Sequence, residues 1–383
     1  IGQKKCLEKL FNLPGNFTAS KLAWVKEYEP KIYTKIDKFM LPGEYIAMKM
    51  SDEIYTTPSG LSEGMFWDYQ NSGIATEILD AFGFSKELVP EVIPNFSGGS
   101  QLTKEAAGEL GLQAGIPISY RGGDQPNNAL SLNVLQPGEA AVTAGTSGVV
   151  YGVCDKGSYD RLSRVNTFVH VNNNEENHRY GVLGCLNGAG ILNCWLKRNL
   201  FSASAGVSYD EMNKLAGNVE PGSGGVLVFP FGNGAERLLN NNNPGASIRN
   251  WDFNRHGREY ILRAAQEGIV YAMYYGLEVM RAMGLSVHKL RAGHANMFLS
   301  PVFAEVFASV TGASLELFET DGAQGAARGA GIGAGIYKSE QEAFAGLRPV
   351  RSIEPNTKLT GVYEEAYGNW KEILEKEMLI TNN

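Results

Sequence analysis

Two glycine turns hold the residues of this chain best suited to chemistry. The first reads Tyr120-Arg121-Gly122-Gly123-Asp124-Gln125-Pro126-Asn127-Asn128. A carboxylate that follows a Gly-Gly pair and is backed by side-chain amides suits the removal of a proton from a bound hydroxyl. The second turn reads Ala144-Gly145-Thr146-Ser147-Gly148 and lies between β-prone runs. At the tip of a hairpin it offers backbone N–H groups and the hydroxyls of Thr146 and Ser147 to phosphate oxygens. A base and a phosphate cradle together are the minimal apparatus for moving a phosphoryl group onto an alcohol.

Other chemistries find less support. No G-x-x-x-x-G-K-[ST] phosphate loop occurs. Gly329-Ala330-Gly331-Ile332-Gly333-Ala334 carries the letters of a dinucleotide fingerprint, but Val350-Arg351-Ser352-Ile353 downstream lacks the acidic residue that would hold a ribose. Small residues at that density suit a helix that approaches a neighbour closely. Ser147 sits in G-T-S-G rather than G-x-S-x-G. His170, His178, His256, His288 and His294 do not pair into a metal or triad pattern. Cys6, Cys154, Cys185 and Cys194 lack C-x-x-C spacing and are expected as reduced, buried thiols, Cys185 and Cys194 in apolar surroundings.

Composition bounds the class. A chain of 383 residues, 43% hydrophobic and 20% charged, suits two globular domains, each with its own core. The net charge of −7 argues against a nucleic-acid or membrane-surface binder. No apolar run is long enough for a membrane-spanning helix, and a cytoplasmic location is expected. An anionic ligand would therefore need local help from oriented amides and a divalent cation.

The elements that must position the two turns follow from periodicity. Residues 1–40 read as helices broken at Pro14-Gly15, the second starting near Thr18. Asn16 thus lies in a loop entering a helix N-terminus, which suits either a ligand contact or a simple cap. A short helix from Thr103 to Gly111 precedes a strand leading to Tyr120. Asn187-Gly188-Ala189-Gly190 opens a helix through Leu196, its glycines marking either ligand approach or a tight turn. A long amphipathic helix spans about Arg258 to Met283, with Ile261, Ala264, Ala265, Ile269, Ala272, Met273, Leu277 and Met280 on its buried side. Strands at Lys289–Ala292 and Ser314–Phe318 flank a helix from Ser300 to Thr311, and helices follow at Gly325–Ile336 and Tyr363–Met378. Strands alternating with helices in both halves indicate an α/β fold.

With these pieces in order, the chain resembles the FGGY carbohydrate kinases over nearly its whole length. Asn16 through Val25 looks like the first family signature, continued by Ile36 through Pro42 and Glu63 through Asp68. Gly123-Asp124-Gln125 is similar to the family's base-bearing turn and Gly145-Thr146-Ser147-Gly148 to its second phosphate loop. Pro230-Phe231, Gly234-Ala235-Glu236-Arg237 and Glu267-Gly268 also fit. The resemblance implies two actin-like, ribonuclease H-like ATPase domains with the active site in the cleft between them. Residues 1–134 would be the remainder of the sugar-binding domain, 135–340 the nucleotide-binding domain and 341–383 a helical extension.

It further implies ATP and Mg²⁺ as cofactors and a sugar as substrate, D-xylulose first. The alternatives are another pentulose, a sugar acid or a polyol, or a non-catalytic nucleotide binder of the same fold. Asp124 matches the general base, Gln125 a neighbour that holds a sugar hydroxyl, and Asn16 a substrate contact. Gly145, Thr146, Ser147 and Gly190 match nucleotide contacts. The family's adenosine loop has consecutive glycines where this chain has Ala295-Asn296-Met297-Phe298-Leu299-Ser300, which would place Asn296 and Ser300 at the nucleotide. The partners implied are the sugar and ATP or ADP, with no nucleic acid or membrane and with room for a homodimer. Nothing in residues 1–40 matches the family's leading Asp-x-Gly-Thr phosphate motif, so the chain is expected to lack the front of its first domain and to need it for activity.

Overall fold

The structure is a computed structural model that describes residues 1–201 and 206–381. Packing divides the chain into two compact units that interleave along the sequence. One comprises Ile1–Pro137, Val153–Val182 and Thr320–Leu347; the other comprises Gly138–Gly152, Leu183–Glu319 and Arg348–Asn383. Neither unit is a single continuous stretch.

The first unit is helical with short strands. Its main core gathers Leu10, Leu61, Phe66, Ile78, Leu79 and Val169, with Phe39 stacked on Phe66 at 4.3 Å. The Pro14-Gly15 break stands as expected between helices Gln3–Leu10 and Thr18–Tyr28. Tyr45 to Met48, an apolar run in the sequence, lies inside the helix Pro42–Ser51. That helix opens on a proline, whose fixed φ suits a first helical turn, and Glu44 returns to accept the Leu41 N–H at 2.8 Å. Strand Pro117–Tyr120 pairs antiparallel with Phe96–Gln101 and leads into helix Asp124–Ser131. Helix Gly322–Gly333 lies on these elements, and its small residues are what allow the approach. A Cβ on Gly333 would fall 1.9 Å from the Ser119 carbonyl oxygen, and one on Gly329 would strike the Tyr120 ring. The apparent dinucleotide fingerprint is thus the last stretch of a helix, and its glycines serve packing.

The second unit is built on a sheet. Arg351–Ile353, Ser314–Phe318, Lys289–Gly293, Glu139–Ala144, Gly148–Cys154 and Tyr180–Leu186 neighbour one another in that order. Lys289–Gly293 runs parallel to both Ser314–Phe318 and Glu139–Ala144, while Glu139–Ala144 and Gly148–Cys154 form an antiparallel hairpin. Every residue of Gly148–Cys154 is buried, as expected for a strand covered on both faces. Met273 and Met280 of the helix Arg258–Ala282 lie against Gly148 and Gly152 of that strand. The helix buries the expected apolar face and also Arg263, Gln266 and Glu267. Those charges are tolerated because they are paired: Arg263 Nε donates to Glu267 Oε1 at 2.8 Å and Arg263 Nη2 to the Tyr363 hydroxyl at 2.8 Å. Glu267 also accepts the Gly222 N–H at 3.0 Å and the Ser223 hydroxyl at 2.8 Å. Gly268 beside it lets the helix meet strand Leu227–Phe231, since a Cβ there would lie 2.1 Å from the Val228 carbonyl oxygen.

Candidate active site

In the first unit, Asp124 is the opening residue of helix Asp124–Ser131 and is exposed. Its Oδ1 accepts the Gln125 N–H at 2.8 Å and its Oδ2 accepts Gln125 Nε2 at 3.2 Å. Gln125 therefore fixes the plane of the carboxylate while the group stays open to a ligand. The turn in front is held from beneath: the Arg121 carbonyl accepts Asn95 Nδ2 at 2.9 Å and the Arg121 guanidinium donates to the Ser100 hydroxyl at 2.9 Å. Behind it, Asn127 Nδ2 donates to the Gly322 carbonyl at 2.9 Å.

Gly123 has a physical reason to be glycine. The carboxyl of Glu63, on helix Pro58–Gly64, occupies the space a side chain would need, 2.1 Å from an ideal Cβ. Glu63 Oε1 is shut from solvent without a hydrogen-bond partner, and so is the hydroxyl of Tyr120. Burial, followed by the negative charges of Asp124 and Glu44, pushes the Glu63 carboxyl up to about 8, against the opposing Gly123 N–H. Two acids thus flank one turn, one exposed beside Gln125 and one partly buried, with Oε1 shut from solvent, and neutral at pH 7. In the sequence Glu63 stands within a family signature, where local pattern gives it no role. Its acidic side chain in a Gly-Leu-Ser-Glu-Gly run before Met65-Phe66-Trp67 was the available signal. Asn16 is exposed in the same unit, ahead of helix Thr18–Tyr28, and Thr18 packs at Gly64, next to Glu63.

In the second unit, Gly145-Thr146-Ser147 is the tip of the hairpin, with Ala144 paired to Gly148. Gly145, Thr146, Gly190 and Asn296 line one cavity of about 550 Å³, together with Asn193, Arg198 and Tyr209. That size is in the range of cofactor sites. Thr146 is exposed, whereas Ser147 lies in the same turn but does not line the cavity. Gly190 meets the hairpin tip closely: its N–H donates to the Gly145 carbonyl at 2.8 Å, and a Cβ would lie 2.3 Å from that oxygen. Close backbone approach demands the glycine, and the same approach draws the start of helix Gly190–Leu200 to the hairpin tip. Asn296 begins a 3₁₀ turn after strand Lys289–Gly293 with φ of 55°, a left-handed conformation that asparagine tolerates.

Ser300 does not line the cavity; it is 1% exposed and caps helix Pro301–Thr311. Its hydroxyl accepts the Phe303 N–H at 3.3 Å and donates to Gln266 Oε1 at 2.7 Å, leaving it occupied by the fold. Cys185 and Cys194, expected to be buried, are only partly so. Cys194 borders the cavity, where a hydrogen bond with Tyr209 and the nearby Arg198 hold its thiol below the ordinary value.

A chain of this architecture, two α/β units with an acid-bearing turn in one and a phosphate-type hairpin in the other, falls in the actin-like class of two-domain kinases. Residues 8–131 match the N-terminal domain of the FGGY family of carbohydrate kinases and residues 140–336 its C-terminal domain. The chain belongs to that family. It is similar to a xylulose kinase of Staphylococcus epidermidis, 27% identical over 372 residues that cover 95% of this chain and 72% of the relative. Among solved structures, the xylulose kinase of Rhodospirillum rubrum matches with a TM-score of 0.89 at 21% identity, covering 100% of this chain and 77% of the other. Plasmodium falciparum glycerol kinase with ADP matches with a TM-score of 0.86 at 20% identity, covering 98% and 75%. Among the described residues no helix is long and apolar enough to cross a membrane.

Proposed function

We propose that this protein transfers a phosphoryl group from ATP to a hydroxyl of D-xylulose, giving D-xylulose 5-phosphate, with Asp124 as general base. The observation that carries the reading is the exposed Asp124 carboxylate, oriented through both oxygens by Gln125 in a family of carbohydrate kinases. The xylulose kinase relatives supply the choice of sugar.

Asp124 accepts the proton of the attacking hydroxyl, and Gln125 holds the carboxylate and meets a neighbouring sugar hydroxyl. Asn16 adds a substrate contact from the loop before helix Thr18–Tyr28. On the nucleotide side, the Thr146 hydroxyl and the amides of the hairpin tip bind phosphate oxygens, while Asn296 borders the nucleoside. The residues fit such a ligand: an exposed hydroxyl and a backbone turn open on a cavity large enough for it. ATP supplies the transferable phosphoryl group and Mg²⁺ neutralises its charge.

The test is sugar-dependent ADP release by the natural full-length protein over a panel of pentuloses, sugar acids and polyols. D-xylulose is expected to give the highest kcat/KM. A higher value for glycerol or a sugar acid reassigns the substrate, and no ADP release with any acceptor rejects the kinase reading.

A further inference from the structure

The Asn187-Gly188-Ala189-Gly190 turn is gripped from two directions. Toward the cavity, Gly190 N–H donates to the Gly145 carbonyl at 2.8 Å and Ile191 N–H to the Thr146 carbonyl at 3.2 Å. From the other direction comes Glu236, only 1% exposed. Both its carboxylate oxygens accept the one Asn187 N–H, at 3.0 and 3.1 Å. The contact is reinforced by Asn187 Nδ2 donating to the Ala235 carbonyl at 2.9 Å and Asn233 Nδ2 donating to the Asn187 carbonyl at 3.0 Å. Glu236 is itself anchored, its N–H on the Asn242 carbonyl at 2.9 Å and its carbonyl accepting the Asn241 N–H at 2.9 Å. A carboxylate taken out of water is costly unless hydrogen bonds replace hydration. This one spends both oxygens on the backbone of a turn that clasps the hairpin tip.

We propose that Glu236 is a positioning residue for nucleotide binding: by holding the Asn187 N–H it fixes the turn that clamps Gly145 and Thr146. The proposal rests on the nucleotide reading of the cavity. Glu236 does not line that cavity and acts through backbone alone.

The latch responds to pH. Burial pushes the Glu236 carboxyl up to about 7, with the Asn187 N–H opposing. The titratable side chains on the segments that meet there are Arg237, in the 3₁₀ turn after Glu236, and Cys185, on the strand before Asn187; they act on each other. Protonation converts a charge-assisted hydrogen bond into a weaker neutral one. Nucleotide affinity therefore falls as pH drops through about 7.

The experiment is calorimetric titration of ATP into the natural full-length protein at two pH values, one below and one above neutrality. Wild type, Glu236→Gln and Glu236→Ala are compared, with circular dichroism as a check on folding. Glutamine imitates the neutral acid, and protonation of ATP itself is common to all three proteins. Wild type is expected to lose about fivefold more affinity on acidification than Glu236→Gln, whose affinity at high pH should already be about fivefold below wild type. Glu236→Ala should be weaker still at both values; if it does not fold, the glutamine comparison decides. Identical pH dependence in wild type and Glu236→Gln overturns the proposal. Wild-type protein that binds no ATP at either pH overturns the nucleotide reading and the latch with it.

Discussion

Asp124 and Glu63 flank Gly123, and their surroundings part them. Asp124 is exposed and aligned by Gln125, while Glu63 Oε1 is sealed from water with no partner. Glu63 has its carboxyl raised to about 8, so the folded state favours its neutral form. The sign follows from linkage: stability from the neutral acid is fully present below the ordinary carboxylate value and is lost as pH rises through about 8. Glu63→Gln, which cannot ionise, should melt like wild type near pH 4 and a few degrees higher at pH 9, by scanning calorimetry at both. Equal melting temperatures at pH 9 would mean that water reaches the site. Thr146 makes a second test at this scale. Thr146→Val keeps shape and removes the exposed hydroxyl of the hairpin tip. ATP binding should weaken by about 1–3 kcal/mol, the usual worth of a hydrogen bond to a charged group, with sugar affinity unchanged. Unchanged ATP affinity would assign the hydroxyl no part in binding.

At the scale of elements, the sequence marks turns and long helices well because local chemistry decides them. The hairpin around Gly145 and the long helix near Arg258–Ala282 stand where periodicity placed them. What local pattern cannot show is which neighbour claims a side chain. Ser300 illustrates this: counted along the chain it falls by the nucleotide, but helix Pro301–Thr311 needs a cap and buried Gln266 needs a donor. Gln266 in turn donates to Asn213, which does border the cavity. Ser300→Ala should therefore cost stability, about 0.5–2 kcal/mol by denaturant titration as for other lost caps, and leave nucleotide affinity unchanged. A drop in ATP affinity at unchanged stability would return Ser300 to the nucleotide site. Likewise, the buried Arg263 and Glu267 are polar letters on an amphipathic helix; besides each other, their partners Val219, Tyr363, Gly222 and Ser223 are distant in sequence and help make their burial tolerable.

Across the whole molecule, the order of motifs conveys the family, while the interleaving of the units is invisible to any local window. Thr320–Leu347 follows the last parallel strand of the second unit in sequence yet packs with the first. Three of its glycines, Gly325, Gly329 and Gly333, lie against Ser131, Tyr120 and Ser119, which stand far earlier in the sequence. Glu63 and Glu236 were similarly present as letters in family signatures, but their roles depend on burial and on the turns they touch. Asp124 is the proposed base of a sugar kinase. The most direct measurement is steady-state turnover of D-xylulose and ATP by the natural full-length Asp124→Asn protein, alongside calorimetric binding of the sugar. Sugar binding and fold should persist while kcat falls by about 10²–10⁴-fold, the usual contribution of a positioned base. Turnover within a factor of a few of wild type would contradict the account.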